Sequence, residues 1–232
     1  MCNLIMRIIF VRHGHPNYAN DCLTKLGHAH AAAAAERLKD EGICEIHSSS
    51  CGRAFETAQH TAHLLGLAVT QHDFMREISW GSADGSELFR NGHPWFTADD
   101  MVLRGMDLTR TDWRETEPFC RNKVVQCVDQ VAEGTDRWLA ALGYEREGCL
   151  YRVAGENTNR TVALFSHGGS SSAALSHMFN LPFPYLCATM TPNYTAITVV
   201  SLSDERGALT MPRFEIVNDS RHIQSIENVI SN

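Results

Sequence analysis

Ile5-Met6-Arg7-Ile8-Ile9-Phe10-Val11-Arg12-His13-Gly14 is the stretch that decides the fold. Its β-branched apolar run from Ile5 to Val11 has the character of a strand buried on both faces, as in parallel sheets covered by helices. The slightly wider run Leu4–Val11 is short, carries Arg7 and passes straight into Arg12-His13, so it reads as a strand and not as a signal peptide. Downstream, Thr24 is placed to cap a helix over Lys25–Asp40, where Ala31–Ala35 and Leu38 favour helix and Gly42 favours a stop. Ile43–Ile46 predicts a second strand, Ser48–Ser50 an N-cap for a helix through Leu65 stopped by Gly66, and Leu67–Val69 a third strand. Past residue 155, Arg160–Phe165 predicts a strand, Gly168–Phe179 a helix, and Ala196–Leu202 and Arg213–Val217 two closing strands. This β-α-β-α-β order predicts an α/β fold of three layers, α/β/α, around a mostly parallel central sheet. Between about 82 and 155 the pattern holds helical candidates at Thr97–Arg104 and Pro118–Leu142 and no strand, which predicts a helical cap inserted into a single domain spanning 1–232.

Composition limits the function classes. Of 232 residues 44% are hydrophobic, and 20 Lys+Arg against 27 Asp+Glu leave a net charge of −7. A phosphate backbone or an anionic bilayer wants clustered cations, so neither nucleic acid nor membrane is expected as a partner. No apolar run approaches the roughly 18 residues of a transmembrane helix. The eight cysteines, Cys2, Cys22, Cys44, Cys51, Cys120, Cys127, Cys149 and Cys187, contain no CxxC pair and read as reduced core thiols of a cytoplasmic protein. Cys120 and Cys127, a helical heptad apart, are expected in the core and Asp99-Asp100 at a solvated helix start; Trp95, Phe96, Trp113 and Phe119 fit either the lining of a substrate pocket in the cap or, the commoner role, a small core of the cap itself. His28/His30 and His60/His63 lack zinc-site spacing, so no metal and no cofactor is expected.

Ligands of open α/β sheets sit outside the carboxyl ends of the strands. Three groups fall there: Arg12-His13-Gly14 after the first strand, Arg53 in the first turn after the second, and Ser166-His167-Gly168-Gly169 after the fourth. Each alone has an ordinary reading: a hydrogen-bonded histidine, a surface ion-pair arginine, a turn. Together, two arginines, two histidines and several helix N-termini describe a pocket for a small dianion, and a phosphate monoester is its natural occupant.

Four ordered elements carry a resemblance. Ile8-Ile9-Phe10-Val11-Arg12-His13-Gly14, then Ser48-Ser49-Ser50-Cys51-Gly52-Arg53-Ala54-Phe55-Glu56-Thr57-Ala58, then Met75-Arg76-Glu77-Ile78-Ser79-Trp80-Gly81-Ser82-Ala83-Asp84-Gly85, and finally Val162–Gly169 resemble the signature of the histidine phosphatase superfamily, the phosphoglycerate mutase-like family. Leu23-Thr24-Lys25-Leu26-Gly27 resembles its first helix start. The resemblance implies His13 as a transiently phosphorylated nucleophile, Arg12, Arg53 and His167 as the phosphoryl grip, and Glu77 as proton donor. It implies the phosphatase branch: a phosphoric monoester hydrolase of the histidine acid phosphatase type, acting on a small phosphorylated metabolite without metal.

Departures from the family pattern bear on the alternatives. Position 15 is His where the family usually has Glu or Gln, which speaks against a phosphoglycerate mutase-like phosphotransferase. Ala19 stands where an Asn often touches phosphate, and whether Asn17, Asn20 or His15 substitutes is left open. Glu56 is a rival acid, expected to orient an arginine instead. Mutase activity needs a second anion site, for which Arg90, Arg104, Arg110, Arg114, Arg121 and Lys123 are candidates; a weakly catalytic protein that binds phosphorylated ligands would have no need of Glu77. The ester acted on, the cap residues between 82 and 155 that select it, and oligomeric state, a homo-oligomer included, are left open.

Overall fold

β1 (Ile5–Arg12) lies inside a six-stranded sheet in the computed structural model, which describes residues 5–156 and 159–226. Met6, Ile8 and Phe10 enter one hydrophobic cluster and Ile9 and Val11 another, so the pleat deals successive side chains into two separate cores. That is why the run reads as apolar throughout. After a short ladder of β2 (Pro16–Asn17) with β3 (Cys22–Leu23) come α1 (Lys25–Leu38), β4 (Ile43–Ser49), α2 (Gly52–Leu65) and β5 (Val69–His72). The cap segment supplies α3 (Pro94–Leu103), α4 (Val124–Ala141), β6 (Tyr144–Glu147) and β7 (Leu150–Val153). The chain then completes β8 (Thr161–Ser166), α5 (Gly168–Phe179), α6 (Phe183–Thr189), β9 (Ile197–Ser203), β10 (Leu209–Thr210) and β11 (Arg213–Asp219).

The sheet order is β11-β9-β1-β8-β4-β5, with β1, β8, β4 and β5 parallel, β9 antiparallel to β1, and β11 antiparallel to β9. α1 and α2 cover one face through Leu38, Ala58 and Ala62; α4, α5 and α6 cover the other through Val131, Leu139, Leu175, Met178 and Leu186. The expected three-layer α/β/α architecture is present.

Several local expectations are corrected. β4 runs on through Ser48 and Ser49, and α2 follows Cys51 without a side-chain cap, because Ser49 Oγ is taken by the Cys51 amide at 3.2 Å and by His167. Gly66 closes α2 in the left-handed region, and the Leu67 amide bonds back to Ala62 O, so the third strand begins only at Val69. Gly42, at φ 70°, turns the chain into β4 and does not end α1 directly.

The cap is not purely helical. β6 and β7 form a hairpin with Gly148 at φ 61° in its turn, and β10 joins them in a three-stranded sheet. Tyr144-Glu145-Arg146-Glu147 offers only one apolar residue, so its alternation is too faint to read. Nor does the cap keep a core of its own: Trp113 and Phe119 meet edge-on at 5.3 Å inside the main cluster, with Phe183 of α6 at 5.8 Å from Trp113. α4 starts at Val124, so Cys120 and Cys127 share no helix; Cys120 is exposed and Cys127 half-buried. The described cysteines are unpaired, yet only Cys51 and Cys187 are buried, and Cys2 and Leu4 lie outside the described residues. Because α3 begins at Pro94, Asp99 and Asp100 fall in its second half. Among the described residues no helix is long and apolar enough to cross a membrane.

Candidate active site

Three neighbouring strands deliver the predicted residues to one edge. β1 and β8 pair up to Arg12 opposite Ser166, and the His13 amide extends the ladder to Ser166 O at 2.9 Å. The His13 and His167 rings therefore stand edge to face, centroids 5.1 Å apart. From β4, on the far side of β8, Ser49 Oγ lies 2.9 Å from His167 Nε2, and Arg53 follows in the first turn of α2. Beyond β5 a 3-10 turn, Asp73–Met75, brings in Glu77. Arg12, His13, Arg53, Glu77 and His167 thus converge, as the sequence predicts.

His13 is buried, and its Nδ1 lies 2.7 Å from Gly14 O. A carbonyl only accepts, so Nδ1 carries the proton and the Nε2 lone pair is left facing Arg53 Nε at 3.4 Å. Burial, reinforced by the charges of Arg12 and Arg53, pushes the His13 pKa down to about 3. The imidazole is neutral, with its lone pair on Nε2. His167 is held well below its ordinary value by burial and by the neighbouring His13, Arg53 and Arg12, so it acts as a neutral hydrogen-bonding group.

The loop that carries His13 rests on backbone. A Cβ on Gly14 would lie 2.5 Å from Gly27 O, and one on Gly27 would lie 2.1 Å from His15 O. The two glycines let the His13 loop sit directly on the first turn of α1, whose amide of Gly27 is capped by Thr24 Oγ1 at 3.1 Å. Thr57 links loop to grip: its Oγ1 accepts from the Gly14 amide at 3.1 Å and donates to Arg53 O at 2.7 Å.

Each arginine is held from one side. Arg53 is ion-paired through Nη1 with Asp21, whose other oxygen accepts the Gly52 amide at 2.8 Å. Arg12 donates Nη1 to Pro192 O at 2.6 Å and lies 4.5 Å over the Tyr194 ring, while its Nε is buried without a partner. Asp21 and Tyr194 escaped sequence reasoning. Asp21 lies within the loop after β1 but carries no motif of its own, and Tyr194 meets Arg12 only through the tertiary fold.

Glu77 Oε1 accepts from the Ile78 amide at 3.1 Å and the Ser170 amide at 3.2 Å, at the N-terminus of α5. Burial raises its pKa against the opposing pull of those amides and of Arg12 and Arg53. A Cβ on Gly169 would sit 2.5 Å from Glu77 Oε1, so the second glycine of the Ser-His-Gly-Gly element makes room for this carboxyl. Trp95 Cη2 and Arg12 Nε both lie 3.8 Å from the Cβ position of Gly168, which places Trp95 at the rim of the site and not in a cap core. The rival acids stand elsewhere. Glu56 accepts the Leu23 amide at 2.6 Å; it orients a loop, and orienting Arg53 falls to Asp21. Asp84, exposed and bound to the Ser86 amide and Ser82 Oγ, has its pKa held down to about 2 and is permanently ionised at neutral pH.

The remaining candidates turn inward on their own segments. His15 Nδ1 lies 2.9 Å from Thr24 Oγ1, and Asn17 Oδ1 accepts the Asn20 amide at 3.4 Å. In the cap, Arg104 pairs with Asp100 at 2.8 Å, Arg110 with Asp112 at 2.5 Å, Arg114 with Asp129 at 2.7 Å and Arg121 with Glu117 at 2.8 Å. Arg90 lies 5.7 Å over the Phe96 ring. Among the described residues no group of three His, Cys, Asp or Glu is arranged to hold a metal ion.

The model of the histidine phosphatase superfamily (branch 1) matches residues 8–213. Glucosyl-3-phosphoglycerate phosphatase of Mycobacterium tuberculosis is 26% identical over 185 residues, covering 76% of each chain. A probable phosphoglycerate mutase, GpmB, of Yersinia enterocolitica is 25% identical over 187 residues, covering 77% of each. The mycobacterial glucosyl-3-phosphoglycerate phosphatase solved with inorganic phosphate superposes with a TM-score of 0.63 at 25% identity, covering 94% of this chain and 100% of that one.

Proposed function

Because the chain belongs to the histidine phosphatase superfamily (branch 1), we propose that it is a phosphomonoesterase hydrolysing a small phosphorylated metabolite through a phosphohistidine on His13. The observation that carries this reading is the unprotonated Nε2 of a buried His13, facing Arg53 across 3.4 Å, with the raised carboxyl of Glu77 at the adjoining helix terminus.

The chemistry follows from those positions. His13 Nε2 attacks phosphorus as the ester P–O bond breaks, and the Glu77 carboxyl gives its proton to the departing alkoxide. Arg12, Arg53 and His167 stabilise the charge on the equatorial oxygens without reorganising, because they are already fixed in a dry pocket. Glu77, now a carboxylate, takes a proton from water as that water attacks phosphorus. The P–N bond breaks, inorganic phosphate leaves, and His13 and Glu77 return to their starting forms.

Hydrolysis is favoured over transfer to a second hydroxyl by the state of the cap cations. Of the six candidate cations, Arg104, Arg110, Arg114 and Arg121 are each closed onto a carboxylate, so a second anionic group would be left to Arg90 and Lys123. Residues 82–155 act as the cap that selects the ester, and the enzyme works in the cytoplasm without metal.

The test is a hydrolysis screen over sugar phosphates, nucleotide-like esters such as α-ribazole phosphate, and phosphoamino acids, with wild type and His13→Ala in parallel. His13-dependent release of inorganic phosphate, unaffected by exhaustive EDTA, is expected. Isomerisation of a phosphoglycerate without phosphate release overturns the reading, as does activity that a divalent metal restores.

A further inference from the structure

Arg12 is steered from outside the motifs that mark the site. Its Nη1 is fixed on Pro192 O at 2.6 Å, its face lies 4.5 Å from the Tyr194 ring centroid, and its buried Nε has no partner. A buried donor without an acceptor is costly. It persists here because the guanidinium is held on two other sides, and a phosphoryl oxygen is the acceptor that would complete it.

The segment that holds it is itself unusually constrained. Thr195, a buried β-branched residue, adopts φ 51°, a left-handed conformation such residues rarely visit. Its amide reaches His13 O at 3.3 Å, its hydroxyl donates to Tyr194 O at 2.8 Å, and His222 Nε2 lies 3.0 Å from Thr195 Oγ1. Asn193 and Asn218 lash the segment to the end of β11: the Asn193 amide donates to Asn218 Oδ1 at 3.0 Å, and Asn218 Nδ2 to Thr191 O at 2.9 Å. Around the Tyr194 ring stand His15 at 5.3 Å, His30 at 6.0 Å and His13 at 6.1 Å, so the ring is boxed in while Arg12 covers it.

We propose that Tyr194 is a positioning residue for phosphoryl binding: its ring face sets the plane of the Arg12 guanidinium so that the Nε edge is presented to the phosphoryl group. The inference rests on reading the site as a phosphoryl pocket. It assigns the work to the aromatic face and not to the hydroxyl, since a guanidinium stacks on the π surface.

Calorimetric titration with inorganic phosphate tests it without requiring turnover. Tyr194→Leu is expected to weaken phosphate binding by about tenfold, the scale of one desolvated cation–π contact. Tyr194→Phe should stay within about threefold of wild type, because the ring is kept. In an Arg12→Ala background Tyr194→Leu should add less than about twofold, the non-additivity of two residues acting as one unit. Should the Leu variant fail to give a cooperative melt, Tyr194→Met takes its place, filling the space without a π face. Equal losses in the Phe and Leu variants overturn the proposal, as does an undiminished effect of Tyr194→Leu without Arg12. A wild type that neither binds nor releases phosphate overturns the phosphatase reading itself.

Discussion

The carboxyl edge of the sheet and the segment 82–155 both hold several arginines, but they treat them in opposite ways. At the edge, Arg53 is almost fully buried and Arg12 partly so; each is anchored on one side, to Asp21 or to Pro192 O, and keeps donors facing the pocket. In the cap, Arg110, Arg114 and Arg121 sit in solvent on carboxylates of their own segment. A charge in a dry, low-dielectric pocket acts strongly on whatever enters it, whereas a solvated pair is screened and acts on little beyond its partner. Location and unfinished bonding, more than the count of cations, separate a binding site from an ordinary surface.

The widest gap between the two regions should appear at His13. His13→Ala is expected to lower kcat by at least about 10⁴-fold, the scale of losing a nucleophile. Rapid quench with a labelled monoester should leave acid-labile, alkali-stable label on the wild type alone; label on a serine, or in the variant, breaks the assignment. Glu77→Gln should depress kcat on alkyl monoesters by roughly 10²–10⁴-fold while single-turnover phosphorylation by p-nitrophenyl phosphate falls far less, because that leaving group departs without a proton. Equal losses on both would make Glu77 a positioning group.

The same pair sets the pH profile. His13, held near 3, stays a free base across the acid range, so it imposes no loss of rate between pH 4 and neutrality. Glu77, raised by burial, must keep its proton to act as acid, so kcat/KM falls as pH rises through its pKa. That basic limb should vanish in Glu77→Gln, whose profile carries the same substrate ionisation and so provides the control. Stability runs the other way: unfolded His13 titrates near its ordinary value of about 6.5, so below that pH unfolding takes up a proton and the folded state weakens toward pH 3. Melts from pH 7 to pH 4 should show a shallower decline in His13→Ala.

Arg53→Ala is expected to cost about 10²–10³-fold in kcat/KM, as for removal of one preorganised charge stabiliser. Near-normal kinetics would mean that Arg53 faces away from the substrate. The smallest effects belong to the cap: Arg110→Ala or Arg121→Ala should change kcat/KM by less than about threefold, since an exposed, paired side chain contributes little. A loss above tenfold confined to substrates with a second anionic group would erase the contrast between the regions and restore the transferase reading.

What could be read in advance was whatever the chain encodes over a few consecutive residues. Arg12, His13, Arg53, Glu77 and His167 each sit where a strand or turn reaches the carboxyl edge, and their neighbours carry recognisable elements. Asp21, Tyr194 and Trp95 reach the same pocket through tertiary closure: Asp21 because Gly52 lets α2 lie against its carbonyl, Tyr194 through the loop before β9, Trp95 through α3. For Glu56, helical spacing from Arg53 suggests a partnership that the Leu23 amide takes instead. The β6–β7 hairpin leaves little trace in the sequence, since only Tyr144 of its first strand is buried. The serines before α2 read as caps because the apolar run ends at Ile46, whereas β4 continues to Ser49.

His13 and His167 stand one rung beyond the last pair of the β1–β8 ladder. Their separation is therefore gauged by the spacing of neighbouring strands, a length common to every sheet, and owes nothing to the long excursion of chain between them. Segments spliced into that excursion can lengthen, shorten or change chemistry while the two imidazoles keep their interval. A scaffold built this way can exchange the part that chooses a substrate without retuning the part that breaks its bond, and grafting a foreign segment in place of residues 82–155, downstream of Glu77, is the engineering it invites.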